Sequence, residues 1–225
     1  MPDITLTPIA HIRSDYSSKF GIPRQSGLTR VQAEVIFEPA FAISEAVRGL
    51  EDFSHVWLIW HFSASAEQGW HPTVRPPRLG GNERVGVFAS RSPFRPNPIG
   101  LSCVQLDRIE FRDGSGPVLH VSGADLMDGT PVLDVKPYVP YCDARPEAAG
   151  GFTDRRAFHH LEVVFPEELL VRIPESKRAG LLDTLSQDPR PSYHHDPARV
   201  YGMPYAGFDI RFQVTGDVLT VLSLQ

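Results

Sequence analysis

Through its first two-thirds the chain repeats one pattern: a short run rich in β-branched and aromatic residues, closed off by Gly, Pro, Asn or Asp. Runs of this kind read as strands at 4–12, 32–37, 55–62, 85–89, 101–111, 118–122 and 132–135. No helix-length periodic segment lies between consecutive runs. A doubly wound parallel sheet needs such a crossover after each strand, so it is excluded. A mainly β protein closed into a barrel, or folded as a sandwich, is what remains.

The rest of the pattern is sparser. One short helix is expected at 44–50, with Ser44 as its N-cap and Gly49 near its end. Residues 143–157 are mostly small or polar and contain Pro and Gly, and read as a linker. Beyond it come a strand at 161–165, a helix at 175–187 and a hairpin. In that hairpin Phe208, Ile210, Phe212 and Val214 alternate with polar residues, and Gly216-Asp217 turns the chain into 218–224. The organisation implied is a β domain over 1–142, a linker over 143–157 and a small α+β domain over 158–225.

With 225 residues, of which 41% are hydrophobic, the chain can bury a substantial core. No apolar run approaches the roughly 20 residues that span a bilayer, and the first residues carry no basic or apolar signal region. A cytoplasmic protein without membrane association is expected. Cys103 and Cys142 form no C-x-x-C pair, which argues against a zinc site or a disulfide framework. The adjacent pairs His159-His160 and His194-His195 lack the i,i+4 spacing of helical zinc ligands, so no metal is expected.

Net charge is −5, yet the basic residues are unevenly placed. All are arginine except Lys19, Lys136 and Lys177, and Arg75, Arg78, Arg84, Arg91 and Arg95 crowd into 71–100 against the single acid Glu83. Guanidinium forks match phosphate and carboxylate geometry. A local anionic ligand is therefore a better partner than a nucleic acid coated indiscriminately. The same segment, Arg75-Pro76-Pro77-Arg78 followed by Ser90-Arg91-Ser92-Pro93-Phe94-Arg95-Pro96-Asn97-Pro98, is stiffened by proline. Such loops lose little entropy when they close on a ligand. If they hold an RNA, Arg75, Arg78, Arg95 and Asn97 are the contacts.

Two further constellations stand out. Asp125-Leu126-Met127-Asp128-Gly129 forms a turn whose carboxylates can accept from hydroxyls or an ammonium group, or simply cap the turn. Asp188-Pro189-Arg190-Pro191-Ser192-Tyr193 joins a cation to an aromatic able to stack on a base. There is no G-x-G-x-x-G, P-loop or nucleophile elbow.

Taken together, residues 72–81 and 86–100, with 20–25, 53–55, 125–131 and 188–193, resemble the TsaA-like family over nearly the whole chain. The resemblance implies a non-Rossmann β-barrel methyltransferase that uses S-adenosylmethionine and works as a homodimer. It also implies a substrate: tRNA carrying threonylcarbamoyladenosine just 3′ of the anticodon, methylated at N6. Carried onto matching positions, the donor is contacted by Pro23, Arg24, Gln25, Arg91, Leu101, Asp125, Leu126, Met127 and Asp128. Relatives end one strand in Phe-His-Gln or Phe-His-Lys beside the donor. Here the place reads Phe62-Ser63-Ala64, which removes those side chains and leaves backbone contacts. Arg190 and Tyr193 are expected to complete the catalytic pocket, Arg190 by meeting the threonyl carboxylate. Two alternatives stay open: an RNA-binding or regulatory module that has lost catalysis, and a methyltransferase acting on small molecules.

Overall fold

The computed structural model describes residues 3–79, 83–155, 159–191, 194 and 196–225. Six strands close a barrel: β1 (Ala10–Arg13), β2 (Gln32–Phe37), β3 (His55–His61), β6 (Ile99–Arg112), β7 (Gly116–Ser122) and β8 (Pro131–Pro137), in the order β1-β2-β7-β6-β3-β8. Every neighbouring pair is antiparallel, with registers such as Ala10↔Phe37, Gln32↔Ser122 and His55↔Gln105. The period of two does the sorting. On β3 Val56, Leu58 and Trp60 point inward, and on β6 Ser102, Val104 and Leu106 do the same. With Ile12, Val35, Leu119, Val121 and Leu126 they fill the barrel. The expected mainly β barrel is the observed architecture.

Between β3 and β6 the chain leaves the barrel. It makes a 3-10 turn at Ser63–Gln68 and a two-stranded ladder of β4 (Thr73–Val74) and β5 (Val85–Gly86) before returning along the proline loop. The expected strand at 85–89 is therefore only its first two residues, because 87–89 form a 3-10 turn. Likewise the strand expected at 4–12 begins at Ala10. The helix expected at 44–50 is two 3-10 turns, Ser44–Val47 and Leu50–Asp52, and Ile43 rather than Ser44 occupies the N-cap. Gly49 separates them with φ +83°, a left-handed conformation that stops helix propagation.

A second sheet runs in the order β10-β11-β12-β9, built from β9 (Glu162–Val164), β10 (Tyr201–Tyr205), β11 (Phe208–Thr215) and β12 (Val218–Leu224). Short helices α1 (Pro140–Asp143) and α2 (Glu167–Leu170) precede α3 (Glu175–Ser186). Leu181 and Leu185 of α3 pack against Ile210, Phe212, Leu219 and Val221. This smaller core also takes residues from the start of the chain. Tyr16 and Val31 are buried in it, with Phe20 and Ile22 packed alongside. Segment 14–31, between β1 and β2, thus runs from barrel to second sheet and back. No helix of the described residues is long and apolar enough to cross a membrane.

Candidate functional site

Segment 14–31 is fixed at several points. The Tyr16 hydroxyl meets Thr184 Oγ1 at 2.9 Å, and because that Oγ1 donates to Gly180 O, the tyrosine is the donor. Burial holds the phenol proton in place, raising its pKa to about 12. Arg30 forms a fork on Asp183, at 2.8 Å from Nε and 2.7 Å from Nη2, and its amide donates to the same carboxylate at 2.9 Å. Nearer the barrel, the Gly27 amide donates to Gly123 O at 2.8 Å. Residues 23–27 are thereby laid against the turn that follows β7.

That turn carries Asp125. Its Oδ1 accepts from Ser102 Oγ at 2.5 Å, and Ser102 Oγ accepts from Trp60 Nε1 at 2.9 Å. Asp125's own amide and that of Ser26 also bond the carboxyl, and Arg91 lies within electrostatic reach. Despite these favourable partners, desolvation pushes the Asp125 pKa up to about 6. Arg91 in turn donates from Nη1 to Gln25 Oε1 at 2.6 Å, and Gln25 Nε2 donates to Arg24 O at 2.5 Å. Gln25, Arg91 and Asp125, remote in sequence, form one constellation. Ser102, Trp60 and the Ser26 amide belong to it as well. They went unnoticed in the sequence because a serine and a tryptophan on barrel strands carry no motif.

The other expected site residues divide. Pro23 is buried and Arg24 exposed. Leu101, 51% exposed, stands on β6 beside Ser102. Phe62 packs on Trp60 with ring centroids 4.2 Å apart, and Lys19 Nζ donates to Ala64 O at 2.6 Å, which ties the turn containing Ser63 to segment 14–31. Leu126 is fully buried in the barrel core, and its carbonyl accepts from Ser14 Oγ at 2.9 Å. Met127 O accepts from Thr130 Oγ1 at 2.6 Å, and Asp128 Oδ1 accepts the Ser14 amide at 3.0 Å. Asp128 thus ties segment 14–31 to this turn, whereas the Asp125 carboxyl takes the Ser102 hydroxyl.

Within the proline loop the arginines differ too. Arg75 and Asn97 are exposed. Arg95 instead donates from Nη1 to Val87 O at 3.0 Å and Ser90 O at 2.7 Å, with its guanidinium over the Phe88 ring. The side chain of Arg78 lies outside the described residues.

Two known domain profiles span these elements. A profile of the tRNA-methyltransferase O N-terminal domain matches residues 11–144, and one of the TrmO C-terminal domain matches 159–225. The chain belongs to the tRNA-methyltransferase O family. Among its relatives, the Escherichia coli K12 tRNA (adenine(37)-N6)-methyltransferase is 39% identical over 234 residues, covering 100% of this chain and 99% of its own length. The protein of the same description from Eikenella corrodens is 48% identical over 72% of this chain and 91% of its own. A crystal structure of TrmO from Pseudomonas aeruginosa superposes with a TM-score of 0.80 at 34% identity, covering both chains fully.

In this family member the pair expected to be catalytic is only partly in view. Arg190 forks onto Asp188, Nε at 2.8 Å and Nη2 at 2.9 Å, and the pair is half-buried. Its fork therefore faces an internal carboxylate, which a substrate carboxylate would have to displace or share. Tyr193 lies outside the described residues. One other cluster has ligand-like spacing: Glu34, Glu110 and His120 on the barrel wall. Arg112 Nη2 bonds both carboxylates, at 2.7 and 2.9 Å, with Arg13 and Arg108 close by. Three guanidiniums against two carboxylates make this an ion-pair network that repels a further cation.

Proposed function

We propose that this chain transfers a methyl group from S-adenosylmethionine to N6 of adenosine 37 in tRNA, on a base already carrying a threonylcarbamoyl group. It works as a cytoplasmic homodimer. The observation that carries the reading is the meeting of Gln25, Arg91 and Asp125 in a chain that aligns end to end with a bacterial tRNA (adenine(37)-N6)-methyltransferase.

The residues suit the donor. Its amino-acid end is zwitterionic, and the constellation offers a guanidinium and a desolvated carboxylate side by side. Asp125, whose pKa of about 6 reflects the want of a cation or further donors, gains from an ammonium or ribose hydroxyls. Arg91, oriented by Gln25, suits the carboxylate. Asp128 retains acceptor capacity beyond its bond to the Ser14 amide, Leu126 and Met127 link the two carboxylates, and Leu101 gives an apolar wall. When bound, the donor supplies an activated sulfonium methyl, so the protein's task is mainly to bind and orient.

The target nitrogen is conjugated to purine and urea carbonyl and is a poor nucleophile until its proton is withdrawn. The carbamoyl group makes that proton acidic, so it passes to solvent water as the methyl moves to nitrogen and the sulfonium leaves as a neutral thioether. Pocket hydrogen bonds, and not a dedicated histidine, steady the nitrogen. Exposed Arg75 and Asn97, with Arg78, are assigned to the RNA. Arg95 is assigned to holding their loop in shape. Arg190 keeps a role toward the threonyl carboxylate only by sharing with Asp188, and Tyr193 is its companion.

Incubation with labelled donor and tRNA bearing threonylcarbamoyladenosine, followed by nucleoside mass spectrometry, tests this. One methyl on that nucleoside is expected, with unmodified transcripts ignored. Equal methylation of unmodified adenosine would overturn the substrate assignment.

A further inference from the structure

The barrel interior reaches the site through a hydrogen-bonded line, Trp60 Nε1–H to Ser102 Oγ and Ser102 Oγ–H to Asp125 Oδ1, at 2.9 and 2.5 Å. A serine hydroxyl has one proton. Since Trp60 can only donate, that proton is committed to Asp125. The line is rigid because both inner members are buried in packed strands: Ser102 is 1% exposed and Trp60 7%. Trp60 is locked further by its tilted ring contact with Phe62 and by Gly100, where any Cβ would collide with the indole ring. Nothing in catalysis requires a tryptophan inside a barrel to present its N–H to a serine. An aliphatic pair would fill the same space without the cost of burying polar groups.

We infer that Ser102, oriented by Trp60, is a positioning residue that holds the Asp125 carboxylate ionised and aimed for a cationic or hydroxyl-bearing ligand. The inference rests on the assignment of Asp125 to the donor made above. The charged and titratable groups facing Asp125 are few. Arg91 favours the ionised form, as do the amides of Ser26 and Asp125 itself, while Asp125 and the Tyr16 phenol oppose each other's ionisation. Desolvation pushes the other way and prevails. Ser102 supplies the leading side-chain opposition to that desolvation. Its removal therefore raises the Asp125 pKa toward neutrality, where a fraction of the protein carries a protonated, useless carboxyl.

The test uses Ser102→Ala and Ser102→Cys, the latter keeping the shape with a weaker donor. Carboxyl-carbon NMR of the ligand-free protein follows Asp125 directly. Calorimetry with S-adenosylmethionine follows binding at pH 6.5 and 8.5. Ser102→Ala should move the Asp125 midpoint up, with Ser102→Cys between it and the parent. Donor affinity should fall about tenfold or more at pH 6.5, as expected for losing a hydrogen bond to a charged group, and recover most of the loss at pH 8.5. A merely structural serine would weaken binding equally at both pH values. That result, or an unmoved Asp125 midpoint in Ser102→Ala, overturns the inference. Absence of donor binding by the parent protein would instead remove the donor assignment, and the NMR midpoint would still report on Ser102.

Discussion

The two loops that meet at Arg91 and Gln25 are held in opposite ways. Segment 14–31 makes its fixing contacts with distant parts of the chain: Tyr16 with Thr184, Arg30 with Asp183, Asp15 with Lys177 at 2.8 Å, and Gly21 packed against Met203. Segment 87–100 is fixed by itself and by the excursion just before it, with the Val87 amide donating to Pro72 O at 3.0 Å and Pro98 O accepting the Phe62 amide at 2.8 Å. Ser90 Oγ donates to Val87 O at 2.9 Å, Arg95 ties Val87 O to Ser90 O, and Ser92 Oγ accepts the Phe94 amide at 3.3 Å. One half of the site depends on the second domain for its shape; the other carries its shape in its own prolines and hydrogen bonds. The second sheet and α3 thus scaffold the loop that carries Gln25.

The comparison is most exposed to attack at Gly21. Its φ is +95° and a Cβ would run into the Met203 side chain, which is fully buried and cannot swing aside. Gly21→Ala should cost about 2–4 kcal/mol, combining backbone strain with an overpacked core. It should weaken donor binding as well, because Pro23 to Gln25 follow directly. Chemical denaturation and calorimetry read the two effects. Lost stability with unchanged donor affinity would mean that the loop keeps its shape without the second domain.

A smaller effect is expected on the self-held side. Arg95→Ala removes a part-buried guanidinium from two carbonyls and should cost about 1 kcal/mol. Hydrogen exchange should quicken over 87–100 and stay unchanged in α3 and the second sheet. Faster exchange at Tyr16 or Thr184 would show that the two loops are not independently held.

This contrast also explains what could be read in advance. The barrel strands were legible because one face of each is buried, and the alternation prints itself on β2, β3, β6 and β11. Strand β10 was missed. Gly202 and Pro204 interrupt the alternation in Tyr201-Gly202-Met203-Pro204-Tyr205, and the proline is tolerated because β10 is at the sheet edge, where the missing N–H is not needed by a second neighbour. Arg91 and Gln25 were legible from their proline-rich surroundings. Ser102 and Trp60 were not, because their role arises only when β3 and β6 pair, Trp60 against Gly100. The partners of Arg95 and Asp128, two carbonyls and a backbone amide, were not legible either, since a residue type cannot announce its neighbours. The resemblance supplied the activity; the pairing of strands supplied the reason Asp125 is poised.

The account stands or falls on Asp125 as the donor's carboxylate partner. Titration of S-adenosylmethionine into the parent protein and Asp125→Asn, from pH 5 to pH 8, tests it directly. With a ligand-free pKa of about 6, the parent must shed a proton to bind a cation at acid pH. Its affinity should therefore hold at pH 7–8 and fall as pH drops through 6, approaching tenfold per unit below that point. Asp125→Asn should bind weakly across the range, with the fall near pH 6 abolished. Equal affinity of the two proteins at pH 8, with the same pH profile, would contradict the assignment.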